Sequence, residues 1–206
     1  MLSKENVIKL DKTQIKAAGE VLGRALWDDP VSIYDIPDKE KRHAVMKHVF
    51  QMTSCFGVKY GETHATSPDL EGIAVWIPYI NKKFKLKINI GCVLKTKAYK
   101  FGIQASKRIL PLEKHKTNVH REFAPGDHWY LETLGVEPNH QGKGYGSLLM
   151  EYMLEKIDNS NPLPVYLETS TELNVKFYKR FKFEVMGDEV IPGTDVRQWY
   201  LLRYAK

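Results

Sequence analysis

Six residues, Gln141-Gly142-Lys143-Gly144-Tyr145-Gly146, constrain this chain more than any other stretch, because three glycines stand where a strand pattern meets a helix pattern. Before them, His128 to Val136 reads as a strand. After them Tyr145, Leu148, Leu149, Tyr152, Met153 and Ile157 fall on one helical face, which Asn159-Ser160-Asn161-Pro162 ends. Val165-Tyr166-Leu167-Glu168 is the next strand. Strand, helix and strand at this spacing predict two parallel neighbours joined by a right-handed crossover.

The junction can also carry chemistry. A helix start leaves N–H groups unpaired and bears about half a positive charge, which suits phosphate oxygens. Glycines at 142, 144 and 146 let backbone approach such an anion, with Ser147 and Lys143 at hand. The same turn can equally be a tight connection. It lacks the spacing of a Walker loop and the GxxG ending of a dinucleotide fingerprint.

The rest of the chain predicts one domain over residues 1–206. Val7-Ile8-Lys9-Leu10 suggests a strand, and Ile15, Ala18, Val21, Leu22, Ala25 and Leu26 a helix broken at Asp28-Asp29-Pro30. Asp38 can cap a second helix, and Gly72 to Ile77 reads as a buried strand ended at Pro78. Phe84, Leu86, Ile88 and Ile90 alternate like a strand, yet two helices are expected in this region. Thr169 with Glu172 predicts a capping box, Leu173, Phe177 and Phe181 the inner face of the helix it opens, and 183–185 and 197–202 the closing strands. Trp27, Trp76 and Trp129 are expected to be core or pocket-lining.

Charge is local. Residues 81–116 hold ten lysines and Arg108 against Glu113, +10 in all, so the net +6 leaves about −4 elsewhere. No apolar run approaches the ~20 residues a membrane helix needs, so no membrane partner is expected. Cys55 and Cys92 show no CxxC spacing. A disulfide framework or thiolate metal site is therefore not expected, and a reducing, cytoplasmic setting is. His115, His120, His128 and His140 lack a short ligand spacing, so no metal is expected.

With Trp129 to Val136 before the glycine turn and Asn174-Val175-Lys176-Phe177-Tyr178 after it, the chain resembles the GNAT superfamily of acyl-CoA-dependent N-acetyltransferases over about residues 127–188. Gln141 to Gly146 matches that family's Gln/Arg-x-x-Gly-x-Gly/Ala signature at every fixed position. The resemblance implies an α/β fold with a mixed, mostly antiparallel sheet flanked by helices, in which a splayed parallel pair of strands forms the acyl-CoA cleft. It implies acetyl-CoA as acyl-donor co-substrate, without a metal. Its pyrophosphate would lie on backbone from Gln141 to Ser147, its pantetheine beside Leu134, Gly135 and Val136, with Asn174 and Tyr178 nearby. The reaction implied is transfer of acetyl to a primary amine of a small molecule or peptide, by direct attack in a ternary complex.

The resemblance further implies Tyr178 as the acid that protonates the leaving thiolate, with Phe177 about 100° away on the helix and turned to the core. The Val136 N–H is the candidate oxyanion donor. Glu132, four residues earlier and expected on the same side of the strand, is the candidate base, ahead of His128 and Glu168. Lys182 stands where the family has a glycine, which predicts a changed helix cap.

The acidic, aromatic tract from Asp28 to Asp35 could attract a cationic amine or be a solvated loop, and the basic segment could cover an adenosine phosphate or an acidic partner. Two rival readings remain: a non-catalytic acyl-CoA-binding sensor, and a nucleic-acid binder using the 81–116 lysines. The latter is disfavoured because only Phe84, Tyr99 and Phe101 could stack on bases. The resemblance also allows a homodimer.

Overall fold

The structure, a computed structural model, describes residues 2–80, 90–160 and 162–206. Its sheet has the order β1-β2-β3-β4-β5-β7-β6. The strands are β1 (Ile8–Lys9), β2 (Glu62–Ala65), β3 (Gly72–Tyr79), β4 (His128–Val136), β5 (Val165–Thr169), β6 (Glu184–Val190) and β7 (Arg197–Arg203). Every pairing is antiparallel except β4 with β5. The helices are α1 (Ile15–Leu26), α2 (Pro30–Asp35), α3 (Lys39–Tyr60), α4 (Ile90–Thr96), α5 (Gly102–Phe123), α6 (Tyr145–Ser160) and α7 (Glu172–Lys179).

The continuous apolar run of β3 is explained by cover on both faces. Ile73, Val75 and Ile77 join Leu22 of α1 with Tyr130, Tyr166 and Tyr200 in one core. Ala74 and Trp76 join Leu131, Leu167, Leu149, Met153 and Ile157 in the other, against α6 and α7. Each fully buried side chain of this size contributes roughly 1.5–3 kcal/mol. Asp38 caps α3 as expected, accepting from the Lys41 N–H at 2.7 Å. The two helices expected in the basic segment are α4 and α5, whereas the strand-like alternation at 84–88 falls outside the described residues.

Four expectations need correction. The cap of α7 is Thr171, which accepts from the Asn174 N–H, while Thr169 stays in β5. Leu173 is not on the inner face: it is 76% exposed, because Val175 and Tyr178 take the core side. Cys55 and Cys92 form a disulfide with Cα atoms 6.0 Å apart. Packing of α4 on α3 brings them together, which no local spacing could announce.

The fourth correction is Lys182, which adopts the left-handed conformation itself, at φ +67°, so the cap keeps the geometry a glycine would give. The strain of a side chain there is relieved by Lys182→Gly, partly offset by the freer unfolded chain. Thermal unfolding should show a gain of about 0.5–1 kcal/mol, or roughly 2–3 °C.

Candidate active site

β4 and β5 pair only where Trp129–Leu131 face Val165–Leu167, and then they part. The parting coincides with a bulge: Val75 faces Thr133 and Trp76 faces Leu131, leaving Glu132 as the extra residue. The bulge breaks the alternation of side chains. Thr133 and Gly135 share a face with Val75 and Ile73, whereas Leu134 and Val136 share the other with Ala74 and Gly72. Glu132 lies toward the first face, beside Lys116 of α5. The expectation that Glu132 and Val136 point the same way is thus overturned. The backbone still serves the cleft. The Glu137 N–H is spent on Glu71 O at 2.8 Å, toward β3. Alternation along the strand then turns the N–H groups of Leu134 and Val136 toward the gap left by β5.

The gap opens into a cleft of about 870 Å³ between β4, the glycine turn and α7. Gly142 and Gly144 have φ of +74° and +90°, a region in which side chains are strained. Among the described residues, nothing accepts a hydrogen bond from the N–H groups of Gly142 through Ser147. Gln141 holds the turn to the strand, its Nε2 donating to Val136 O at 3.1 Å. Lys143 Nζ is engaged with Asn139 O at 2.8 Å. Arg180 supplies a second cation: its guanidinium packs 4.9 Å from the Phe177 ring and donates to Ser147 Oγ at 3.4 Å. A row of unpaired donors at the start of a 16-residue helix, with a cation beside it, fits a pyrophosphate.

The α7 wall carries Leu173, Asn174, Phe177 and Tyr178 toward the cleft. Phe177, expected in the core, is half-buried and lines the cleft as well. Asn174 Nδ2 donates to Thr169 Oγ1 at 3.0 Å, tying α7 to the end of β5. Tyr178 is buried, and that burial, with the Asp29 carboxylate adding to it, raises its pKa, so the hydroxyl keeps its proton.

Beyond the parting point lies an acidic cluster. Glu168 is 4% exposed at its side chain and pairs with Lys116 Nζ at 3.0 Å. It also accepts from the Tyr166 hydroxyl at 3.1 Å. Lys116 reaches Glu113 at 3.3 Å. Burial opposes the Lys116 charge, but Glu113, Glu168 and Glu132 outweigh it and hold the ammonium protonated. Burial pushes Glu132 up to about 7 against the pull of Lys116, and raises Glu168 likewise. The tract from Asp28 to Asp35 is not a solvated loop. Asp29 caps α2 through the Val31 N–H at 3.0 Å, and burial raises its pKa. Burial and Glu113 push Asp35 up to about 7, and its Oδ1 is buried without a hydrogen-bond partner among the described residues.

His128 is occupied elsewhere. Its Nδ1 lies 2.7 Å from Gly126 O and its Nε2 2.7 Å from His120 Nε2. The carbonyl requires a proton on Nδ1, so Nε2 accepts and His120 donates. Burial lowers both pKa values, His120 to about 3, so the pair is neutral. Sequence reasoning missed Arg180, the pairing of Lys116 and the inward turn of Asp29 and Asp35. The i, i+3, i+4, i+7 relation of Leu173, Lys176, Phe177 and Arg180 could have revealed the cleft-facing stripe of α7.

The model of the Acetyltransferase (GNAT) family matches residues 109–183. An uncharacterised N-acetyltransferase of Schizosaccharomyces pombe is 29% identical over 183 residues, 85% of this chain and 72% of the relative. The fold is similar to a Corynebacterium glutamicum structure described as histone acetyltransferase HPA2 and related acetyltransferase. That pair has a TM-score of 0.66 and 18% identity, over 98% of this chain and 96% of that one. It is also similar to a polyamine N-acetyltransferase of Drosophila melanogaster, at TM-score 0.58 and 14% identity over 96% and 98% of the two chains. A mosquito protein described as arylalkylamine N-acetyltransferase like 5b matches at TM-score 0.58 and 12% identity, over the same 96% and 98%. At such identities these structures speak for the fold alone.

Proposed function

Because the chain belongs to the GNAT acetyltransferase family and is by that membership an acyltransferase, we propose that it moves an acetyl group from acetyl-CoA to a primary amine of a small molecule or peptide, both bound at once. The observation that carries this reading is the row of N–H groups from Gly142 to Ser147, unpaired among the described residues, opening into a cleft that Asp29 and Tyr178 also line. Bound acetyl-CoA would supply the thioester carbonyl that the amine attacks.

The chain's own groups have separate tasks. Backbone from Gln141 to Ser147 receives phosphate, Leu134 to Val136 offer strand backbone to the pantetheine amides, and Asn174 and Phe177 form the opposite wall. The Val136 N–H donates to the oxygen on which negative charge develops. Glu132, held near 7, takes the amine proton. Tyr178, held protonated, gives its proton to the departing sulfur. Tyr178→Phe should lower kcat about 10–100-fold with little change in either KM, read from amine-dependent CoA release. Unaltered kcat would remove Tyr178 from the mechanism.

The acceptor is proposed to be cationic before it loses its proton. Glu132, Glu168, Glu113, Asp29 and Asp35 surround one ammonium, Lys116, and the buried Asp35 Oδ1 has no donor among the described residues. The alternative, a sensor that binds acyl-CoA without turnover, predicts binding but no CoA release across mono-, di- and polyamines. A cytoplasmic setting and a homodimer are also carried as proposals. The Cys55–Cys92 bond weighs against the first, since disulfides persist in oxidising compartments. Thiol titration of protein taken from its host decides that point, and sedimentation decides the second.

A further inference from the structure

A second cavity, of about 570 Å³, lies between the start of α1, the middle of α3 and the end of α4. Lys12, Lys16, Lys47, Lys95 and Lys97 line it with one acid, Glu20, a local balance of 5 − 1 = +4. Among the described residues none of these lysines has an ion-pair partner. Two of them come from the 81–116 segment whose charge the transfer reaction leaves unexplained.

Three features make this a shaped site. The floor is fixed: His48 Nδ1 meets Thr96 O at 2.9 Å, and Gln51 Nε2 donates to Lys16 O at 3.4 Å, so the three walls are tied together. The Cys55–Cys92 bond fastens α4 to α3 one turn before Lys95. Lys97 sits at φ +57°, where glycine would be unstrained, so the chain keeps an ammonium there against the backbone preference. Like charges gathered around a concavity repel one another and focus a positive field into it, which an anion relieves.

We propose that this cavity binds a compact polyphosphorylated anion, carried by a free metabolite or a lipid headgroup. Size and lining favour this over a nucleic acid: the lysines converge on a hollow, and no Phe, Tyr or Trp lines it for base stacking. The site is distinct from the donor cleft. Ile15 and Lys16 line the one and Ala25 and Leu26 the other, at opposite ends of α1, about 16 Å apart at 1.5 Å per residue.

The test uses the full chain with its donor cleft saturated by CoA, titrated calorimetrically with inorganic tripolyphosphate at about 0.15 M salt. Saturable one-to-one binding is expected. The K16E/K47E double variant should weaken it at least about tenfold, while K179E, outside the cavity, should not. Should K16E/K47E fail to fold, K95Q/K97G tests the same wall and relieves the Lys97 backbone. Phosphatidylcholine vesicles doped with a phosphoinositide bisphosphate form the second arm. Tighter binding there assigns a lipid headgroup, and tighter binding of free tripolyphosphate assigns a metabolite. Absence of saturable binding beside CoA, binding indifferent to the lysine variants, or tighter binding of single-stranded RNA would overturn the proposal.

Discussion

Glu132→Gln is expected to lower kcat/KM by about 10²–10⁴ and to abolish the acidic limb of the pH profile. In the native chain burial holds the carboxyl at about 7, so the base form accumulates as pH rises through 7 and the rate climbs with it. Glutamine keeps the shape and cannot titrate. The stability change has the opposite sign to the activity change. A carboxyl whose folded pKa is raised contributes stability that is full below its unfolded value and is lost as pH rises through about 7. At pH 8 the variant should therefore be more stable than the native chain, by about 1–3 kcal/mol after allowance for partial exposure. Lower activity with a higher unfolding temperature separates loss of a base from loss of a fold. A profile that keeps its limb near 7 would move the base to Glu168 or to the acceptor itself.

The parts of this site that were legible in the sequence are those set by neighbours along the chain. The glycine turn, its preceding strand and its following helix are adjacent in sequence, so periodicity and turn chemistry expose them. Asp38 was readable as a cap because the N–H that donates to it, that of Lys41, is three residues away. What escaped was set by distant contacts. Glu132 could be placed on β4, but its facing depends on one unmatched residue opposite Val75 and Trp76, more than fifty positions earlier. Lys116 looked like one of ten similar lysines, and only the packing of α5 over the parted strands makes it the buried partner of Glu168. Cys55 and Cys92 were likewise silent until α4 settled on α3. Lys182 shows the converse: a departure from a familiar pattern predicted new geometry, yet the surrounding hydrogen bonds hold the old geometry at the expense of strain.

Gly144→Val should raise the acetyl-CoA dissociation constant about 10²–10⁴-fold while leaving the core intact. At φ +90° a β-branched residue is strained, and its Cβ would lie 3.1 Å from Leu2 Cδ1. The backbone must rotate to escape, and the N–H groups on either side rotate with it. Those groups have no partner among the described residues, so little fold stability depends on their direction, whereas the proposed phosphate contacts depend on it entirely. Each hydrogen bond to a charged oxygen is worth about 1.5–3 kcal/mol, and losing two gives the stated range. Gly142→Ala, at φ +74° with nothing within 4 Å of the added carbon, should act in the same direction more weakly, since strain is its only effect. Calorimetric titration with acetyl-CoA measures both, beside thermal unfolding of the free proteins. If Gly144→Val binds acetyl-CoA as the native chain does, the phosphates do not lie on this turn. The cleft between β4 and α7 would then have to hold the donor by its pantetheine alone, through the cleft-facing N–H groups of Leu134 and Val136.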